Sequence, residues 1–212
     1  MEEQIKAKIT EIIPLSKTTK AIRFISEKKI NFLPGQFLMF DISIKDKIER
    51  LAFSLSSIPT EKYYEITVKK TQTPFISQYL VDSVKIGDEF TVSEPRGKFI
   101  LDRKIKNILF LAAGSGIAPI ISMIRFLRRE KSKIKTHLIY SNKTQEDILW
   151  KDEIEQISRQ NTNFSHEFII TNSDEGKRIT EKNFKAFLNK ETDFYICGPL
   201  EFVKDLYNSF LL

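Results

Sequence analysis

An apolar run, Ile108-Leu109-Phe110-Leu111-Ala112-Ala113, stops at Gly114-Ser115-Gly116. A segment of helical periodicity beginning Ile117-Ala118-Pro119 follows at once. That order reads as a buried strand, a tight turn and a helix N-terminus. It constrains the fold, because a strand that feeds straight into a helix belongs to a parallel sheet with helical crossovers. It constrains the chemistry too. Such a corner gathers backbone N–H groups and the positive end of a helix dipole, which suits a pyrophosphate. A plain strand-to-helix bend needs the same glycines, so both readings stand at this point.

The βα alternation continues downstream. Strands are predicted at Asn107 to Ala112, Thr136 to Tyr140, Phe164 to Thr171 and Asp193 to Cys197. Helices are predicted at Ile117 to Arg129, Glu146 to Ser158, Glu181 to Leu188 and Glu201 to Phe210. Upstream the pattern differs. Ile5, Ala7 and Ile9 alternate with polar residues, as do Ile22 and Phe24, then Tyr64, Ile66 and Val68. Phe37 to Ile42, Leu51 to Leu55 and Asp88 to Val92 add three more strands, with turns at Pro34-Gly35 and Ile86-Gly87-Asp88. Only Pro74 to Val81 looks helical there. The expected architecture is therefore a six-stranded antiparallel β-barrel over residues 1–102, followed by an α/β domain with a parallel sheet over residues 103–212. The boundary falls near Arg103.

Composition excludes several chemistries. One cysteine, Cys197, rules out an internal disulfide and an iron–sulfur cluster ligated by this chain alone. Two histidines, His137 and His166, argue against a histidine-rich metal site, so no metal is expected. The net charge of +6 is spread among acidic residues, and its densest run, Arg125 to Lys135, sits at a helix end where cations belong. Nucleic-acid binding is not expected, and a mildly basic face that steers an acidic protein partner is the more economical use. No apolar run approaches bilayer length and the first residues are polar, so the expected compartment is the cytoplasm. Oligomeric state is left open.

Four ordered segments make the pairing of barrel and α/β domain specific. They are Pro34-Gly35-Gln36-Phe37, Leu51-Ala52-Phe53-Ser54-Leu55-Ser56-Ser57, Gly114-Ser115-Gly116-Ile117-Ala118-Pro119 and Cys197-Gly198-Pro199. Val68-Lys69-Lys70, Ser77-Gln78-Tyr79-Leu80 and Glu94-Pro95-Arg96-Gly97-Lys98-Phe99 join them. With these motifs the chain resembles, over nearly its whole length, the ferredoxin–NADP reductase superfamily of flavoproteins.

The resemblance implies roles. Phe53 would lie against the isoalloxazine or ribityl part of FAD (FMN is the alternative), and Ser54 would hydrogen-bond near flavin N5. Leu55, Val68, Lys69, Thr71, Ile76, Ser77 and Gln78 would complete the flavin site. Gly114 to Pro119 would receive the diphosphate of NADH or NADPH, with Ser115 facing the flavin edge. Ser141, Asn142, Lys143 and Thr171 would meet the rest of the dinucleotide. Cys197, with Gly198 and Pro199, would place the nicotinamide; Ser54 and Cys197 are thus the two catalytic candidates. Lys143 and Arg178 are either partners for a 2′-phosphate or surface charges. The lack of arginine in Thr171-Asn172-Ser173-Asp174 favours NADH.

One departure stands out. Leu51 occupies the position of the family's arginine for the flavin diphosphate, and Arg50 lies one residue earlier. A one-residue shift on a strand turns a side chain to the other face, so Arg50 serves only if a bulge intervenes. Otherwise the diphosphate depends on Lys69, Lys70 and the start of the helix near Ser77, whose approach reads Thr73-Pro74-Phe75-Ile76. After Cys197-Gly198-Pro199 the chain reads as one helix packed by Phe210, without the family's further strand. The implied activity is hydride transfer from NAD(P)H to bound FAD. Electrons then pass to a ferredoxin, a flavodoxin or an oxygenase component. The alternatives are a reductase of free flavin, ferric chelate or oxygen, and a flavin-binding relay or regulatory subunit with little activity alone.

Overall fold

The computed structural model describes residues 4–44, 47–71, 75–102, 104–172, 178–188 and 191–210. The expectations placed on Arg103, Thr73, Pro74, Ser173 and Asp174, and on the packing of Phe210, lie outside what is described. The chain forms two compact units. The first comprises residues 1–101 together with Ile121–Arg125; the second comprises Asp102–Ile120 and Phe126–Leu212.

In the first unit β1 (Ile5–Ser16), β2 (Thr19–Ser26), β3 (Phe37–Ile44), β4 (Lys47–Ser54), β5 (Tyr64–Lys69) and β6 (Glu89–Val92) form one antiparallel sheet in the order β4-β3-β6-β1-β2-β5. Leu55 pairs with Ile66 in an isolated antiparallel bridge, and Ser56 N–H donates to the Glu65 carbonyl at 2.7 Å. That link joins the two ends of the sheet and closes the barrel, which removes its exposed edges. The alternating residues read from the sequence fill the interior. Phe24, Phe40 and Phe90 pack edge-on or tilted at 5.2–5.6 Å between ring centres. Helix α1 (Phe75–Asp82) lays Ile76, Leu80 and Val81 into the same core.

In the second unit β7 (Asn107–Ala113), β8 (Lys135–Asn142), β9 (Phe164–Ile170) and β10 (Thr192–Cys197) form a parallel sheet in the order β10-β7-β8-β9. Residues Ile108 to Ala112 are at most 1% exposed, as expected for a central parallel strand covered on both faces. Helix α2 (Ile117–Arg129) has the bounds its apolar period predicts and ends on the basic pair Arg128 and Arg129.

Two helices differ from expectation. The segment predicted as a helix from Glu146 to Ser158 is a 3-10 turn, Gln145–Asp147, then a break, then α3 (Lys151–Gln160). Ile148 and Leu149 are buried outside any helix, and Trp150 takes a left-handed conformation at φ +59° as the residue capping α3. An apolar pair followed by an aromatic residue mimics helical periodicity although the backbone turns there. The segment from Glu181 to Leu188 is one turn of α4 (Glu181–Phe184), capped reciprocally by Thr180 and Asn183, that tightens to a 3-10 turn, Lys185–Phe187. The tightening keeps Phe184 in the core while Phe187 stacks on His137 at 5.0 Å. The last helix is α5 (Leu200–Phe210).

Candidate functional site

The glycine corner of the second unit is built by three neighbours. β7 ends at Ala113, and Gly114–Gly116 form a 3-10 turn with Gly114 at φ +53°, a left-handed conformation suited to glycine. Neither this turn nor α2 has a side-chain cap at its N-terminus, so the corner keeps its anion-seeking character. β10 runs beside β7 with Cys197 opposite Ala112. A Cβ on Gly116 would overlap the Cys197 carbonyl and come within 2.6 Å of the Gly198 nitrogen. Gly116 is therefore glycine because another backbone occupies the space of a side chain. Ser115 is exposed at the rim, whereas Ile117, Ala118 and Pro119 are buried.

The ends of β8 and β9 join this corner. Thr171 N–H donates to the Asn142 carbonyl at 2.9 Å, and Asn172 N–H to the Lys143 carbonyl at 3.0 Å. Ser141 and Asn142 are buried, while Lys143 and Arg178 are exposed. The Asn142 amide faces the Tyr140 oxygen, but neither its nitrogen nor its oxygen reaches hydrogen-bond geometry with the described residues, although the residue is 4% exposed. A buried amide without a partner is costly and marks a place where a ligand can supply one. The structure thus gathers Gly114 to Pro119, Ser141 to Lys143, Thr171 and Cys197 to Pro199 at the carboxyl ends of the parallel strands, where ligands of such sheets bind. The cradle at Gly116 and the orphaned Asn142 amide fit a dinucleotide.

Burial pushes the Cys197 thiol up to about 11. Cys197 is half-buried, and a thiol kept protonated in this way is a poor nucleophile. At pH 8 about one thiol in a thousand would be ionised. Iodoacetamide is therefore expected to label the folded protein slowly at pH 8 and much faster above pH 10, as read by mass. Because the chain has one cysteine, rapid labelling at pH 8 would contradict this environment.

On the barrel, β4 pairs with β3 in an unbroken register that sets Arg50 opposite Asp41, Leu51 opposite Phe40 and Phe53 opposite Leu38. No bulge re-aims Arg50 within this ladder. Leu51 and Phe53 share a face and pack on the core, Phe53 meeting Phe40 edge-on at 5.3 Å. Arg50 lies on the other face and pairs with Asp41 at 3.1 Å. Leu55, Val68 and Ile76 put their side chains in the core, at 0–1% exposed. Lys69 is half-buried at the end of β5, and Lys70 pairs with Asp82. Thr71 and Ser77 share a hydroxyl–hydroxyl bond of 2.8 Å, and Gln78 Nε2 donates to the Thr71 carbonyl at 3.0 Å. Phe53, Ser54, Lys69 and this Thr71–Ser77–Gln78 knot fit the ring and polar chain of a flavin; the position of the diphosphate arginine does not.

Two further motifs meet on the barrel. Phe37 and Arg96 exchange backbone hydrogen bonds of 3.0 and 2.9 Å, and Gln36 Nε2 donates to the Gly97 carbonyl at 3.3 Å. Sequence reasoning missed Glu65. Its fully buried carboxylate accepts from Arg23 at 2.8 Å and from Ser56 Oγ at 3.0 Å. It also accepts at 2.7 Å from Arg125, in the segment that belongs to this unit. Its backbone N–H donates to Ser57 Oγ at 3.0 Å. Only a carboxylate amid strand residues was visible beforehand, and that pattern reads as solvent-facing.

The barrel and the parallel α/β unit correspond to two domain families found by comparison with known proteins. The oxidoreductase FAD-binding domain matches residues 6–100, and the oxidoreductase NAD-binding domain matches residues 110–207. The chain belongs to the ferredoxin–NADP reductase superfamily. It is 27% identical over 203 residues to the toluate 1,2-dioxygenase electron transfer component of Pseudomonas putida, covering 92% of this chain and 59% of that protein. It is 30% identical over 218 residues to a flavohemoprotein of Candida albicans, covering 94% of this chain and 54% of that protein. The chain spans about half the length of the curated relatives it matches. The ferredoxin NADP+ reductase of Neisseria gonorrhoeae, solved with FAD and NADP, shares the fold at a TM-score of 0.84 and 23% identity, with 97% of this chain and 89% of that chain covered. The FAD/NAD-binding domain of a Vibrio cholerae nitric oxide dioxygenase does so at 0.86 and 20%, covering 100% and 93%.

Proposed function

We propose that this chain moves reducing equivalents from NAD(P)H through FAD to a protein acceptor, a ferredoxin, a flavodoxin or an oxygenase component, in the cytoplasm. Residues 1–102 would be the flavin-binding part and residues 103–212 the nicotinamide-binding part. The observation that carries the reading is the corner where Gly116 packs against Cys197 and Gly198 beside the unpartnered Asn142 amide, in a chain that also holds an FAD-binding domain. Relatives named as electron transfer components of dioxygenases support the kind of acceptor.

Bound FAD would supply a centre that takes a hydride as an electron pair and releases electrons singly. The chain's own residues would bind, orient and exclude water. Phe53 and Ser54 would border the ring, and Lys69, Thr71, Ser77 and Gln78 its polar chain. Gly114 to Pro119 would seat the dinucleotide's diphosphate. Ser141, Asn142, Lys143 and Thr171 would meet its far end, and Cys197 with Gly198 and Pro199 its nicotinamide. A hydride needs neither a protein acid nor a nucleophile, which agrees with a thiol kept protonated by burial.

Leu51 in place of an arginine favours a second reading, a relay subunit that holds flavin but is slow with NAD(P)H by itself. One experiment separates the two. The purified protein is loaded with FAD, and NADH and NADPH are added separately without air while the visible spectrum is followed. Bleaching of the flavin band within seconds is expected, with the faster donor identifying the coenzyme. A flavin that dithionite bleaches and neither coenzyme does would select the relay. A protein that takes up neither FAD nor FMN would defeat both.

A further inference from the structure

We propose that Tyr140 is a positioning residue for the dinucleotide, its hydroxyl holding the Gly114 carbonyl so that the glycine turn keeps the shape that receives a diphosphate. The inference rests on the reading of Gly114 to Pro119 given above. Tyr140 lies on β8 opposite Ala112, one residue from the pair Ala113 and Ser141 that ends the β7–β8 ladder. It is completely buried, and its hydroxyl donates to the Gly114 carbonyl at 2.8 Å. The same carbonyl accepts the Ile117 N–H that closes the 3-10 turn. A carbonyl has two acceptor sites, so both are used.

The consequence is directional. Gly114 is held at φ +53° with its carbonyl drawn toward β8 and α2. Glycine pays no steric penalty for leaving that conformation, so the turn needs an external restraint to keep one shape. The hydroxyl is not required for packing. The Tyr140 ring already meets Phe168 at 6.3 Å in an edge arrangement, and phenylalanine would fill that volume equally. What the oxygen donates is one bond, and the group that accepts it is the first residue of the turn. Burial pushes the phenol well above its ordinary range, with the Leu149 backbone and the Asn142 side chain facing its oxygen. Tyr140 therefore remains a donor across the working pH range.

A purely structural tyrosine would lower stability and leave coenzyme affinity alone, and the test separates the two roles. Tyr140→Phe is compared with Thr136→Val, which removes one hydroxyl bond (to the Asn163 carbonyl at 3.2 Å) at the opposite end of the same strand. Gly116→Ala reports on the turn itself. All are made in the FAD-loaded protein. The readouts are the melting temperature, the Kd for NAD+ and NADP+ by calorimetry, and KM and kcat for the reduced coenzymes with ferricyanide as acceptor. Tyr140→Phe is expected to weaken Kd and raise KM about tenfold with kcat within about twofold, the size of effect one hydrogen bond supports. Thr136→Val is expected to lose similar melting temperature with Kd unchanged. Coenzyme affinity in Tyr140→Phe within about twofold of the parent, alongside a Gly116→Ala that no longer binds, would overturn the inference while leaving the turn's role intact. Equal weakening in Thr136→Val would overturn it as a general loss of stability. Undiminished binding in Gly116→Ala would overturn the reading of the turn and this inference with it.

Discussion

Alanine at Glu65 is expected to destabilise the barrel by about 3–5 kcal/mol. The size follows from what stays behind. The carboxylate is fully buried and balances Arg23 at 2.8 Å and Arg125 at 2.7 Å, while Ser56 Oγ donates to it at 3.0 Å. Removing it leaves a guanidinium, 11% exposed at Arg125, without that carboxylate, and a buried hydroxyl without its acceptor. Arg23 suffers less, because Glu11 also holds it at 2.7 Å and the Tyr63 ring lies under it at 4.4 Å. Glu65→Gln keeps an acceptor for Ser56 and is expected to lose less. Urea unfolding followed by far-UV circular dichroism measures both. A loss below about 1 kcal/mol in the alanine variant would mean that the barrel does not depend on this network. The network also fixes Ser56 and Ser57, which follow Phe53 and Ser54 one residue on, after Leu55, so lost stability and weakened flavin retention are expected together.

Gly116→Ala is expected to lower NAD(P)H-dependent flavin reduction about a hundredfold while leaving flavin content unchanged. At φ −62° and ψ −10° the backbone of Gly116 would accept alanine, so the obstacle is not conformation. It is the Cys197 carbonyl and the Gly198 nitrogen, main-chain atoms that cannot swing aside as a side chain could. The end of β10 must move relative to the glycine turn, and displacements of that size at a binding corner have such effects on rate. Dithionite should still reduce the flavin at the parent rate. Gly87→Ala is the contrast: φ +96° makes it strained, but nothing lies within 4 Å of its Cβ, so only stability should fall. A Gly116→Ala protein with parental KM and kcat would show that the close approach of β10 to the turn is unimportant to the coenzyme.

Much of the architecture was legible because apolar periodicity reports directly on which faces are covered. Helix α2 was readable at both ends, its start from the glycine turn and its end from Arg128 and Arg129. β7 was readable from an unbroken apolar run, since both faces are buried. Glu65 was not. Alternation assigns a carboxylate between Tyr64 and Ile66 to solvent, and its partners Arg23 and Arg125 stand 42 and 60 residues away. Trp150 was illegible for another reason. A left-handed aromatic residue has no sequence signal, so Ile148 and Leu149 looked like helix. At the site, the residues of the glycine turn were identifiable from type and order alone. The orphaned amide of Asn142, the hydroxyl bond from Tyr140 and the unbroken strand that keeps Arg50 on Asp41 required coordinates, because each depends on direction rather than composition.

The order β10-β7-β8-β9 also has a temporal side. β7 is the most apolar strand of its sheet, yet one of its two neighbours arrives last. Asn107 Nδ2 meets the Glu191 carbonyl 84 positions further along the chain. During synthesis, or on refolding, Ile108 to Ala112 remain an open, water-exposed edge until that distant segment returns, and closing so long a loop delays the pairing. The same strand that ends in the glycine turn is therefore the segment most prone to wrong pairing between molecules before folding is complete. Yield from dilute refolding should exceed yield from concentrated refolding for this reason, whatever the final stability of the sheet.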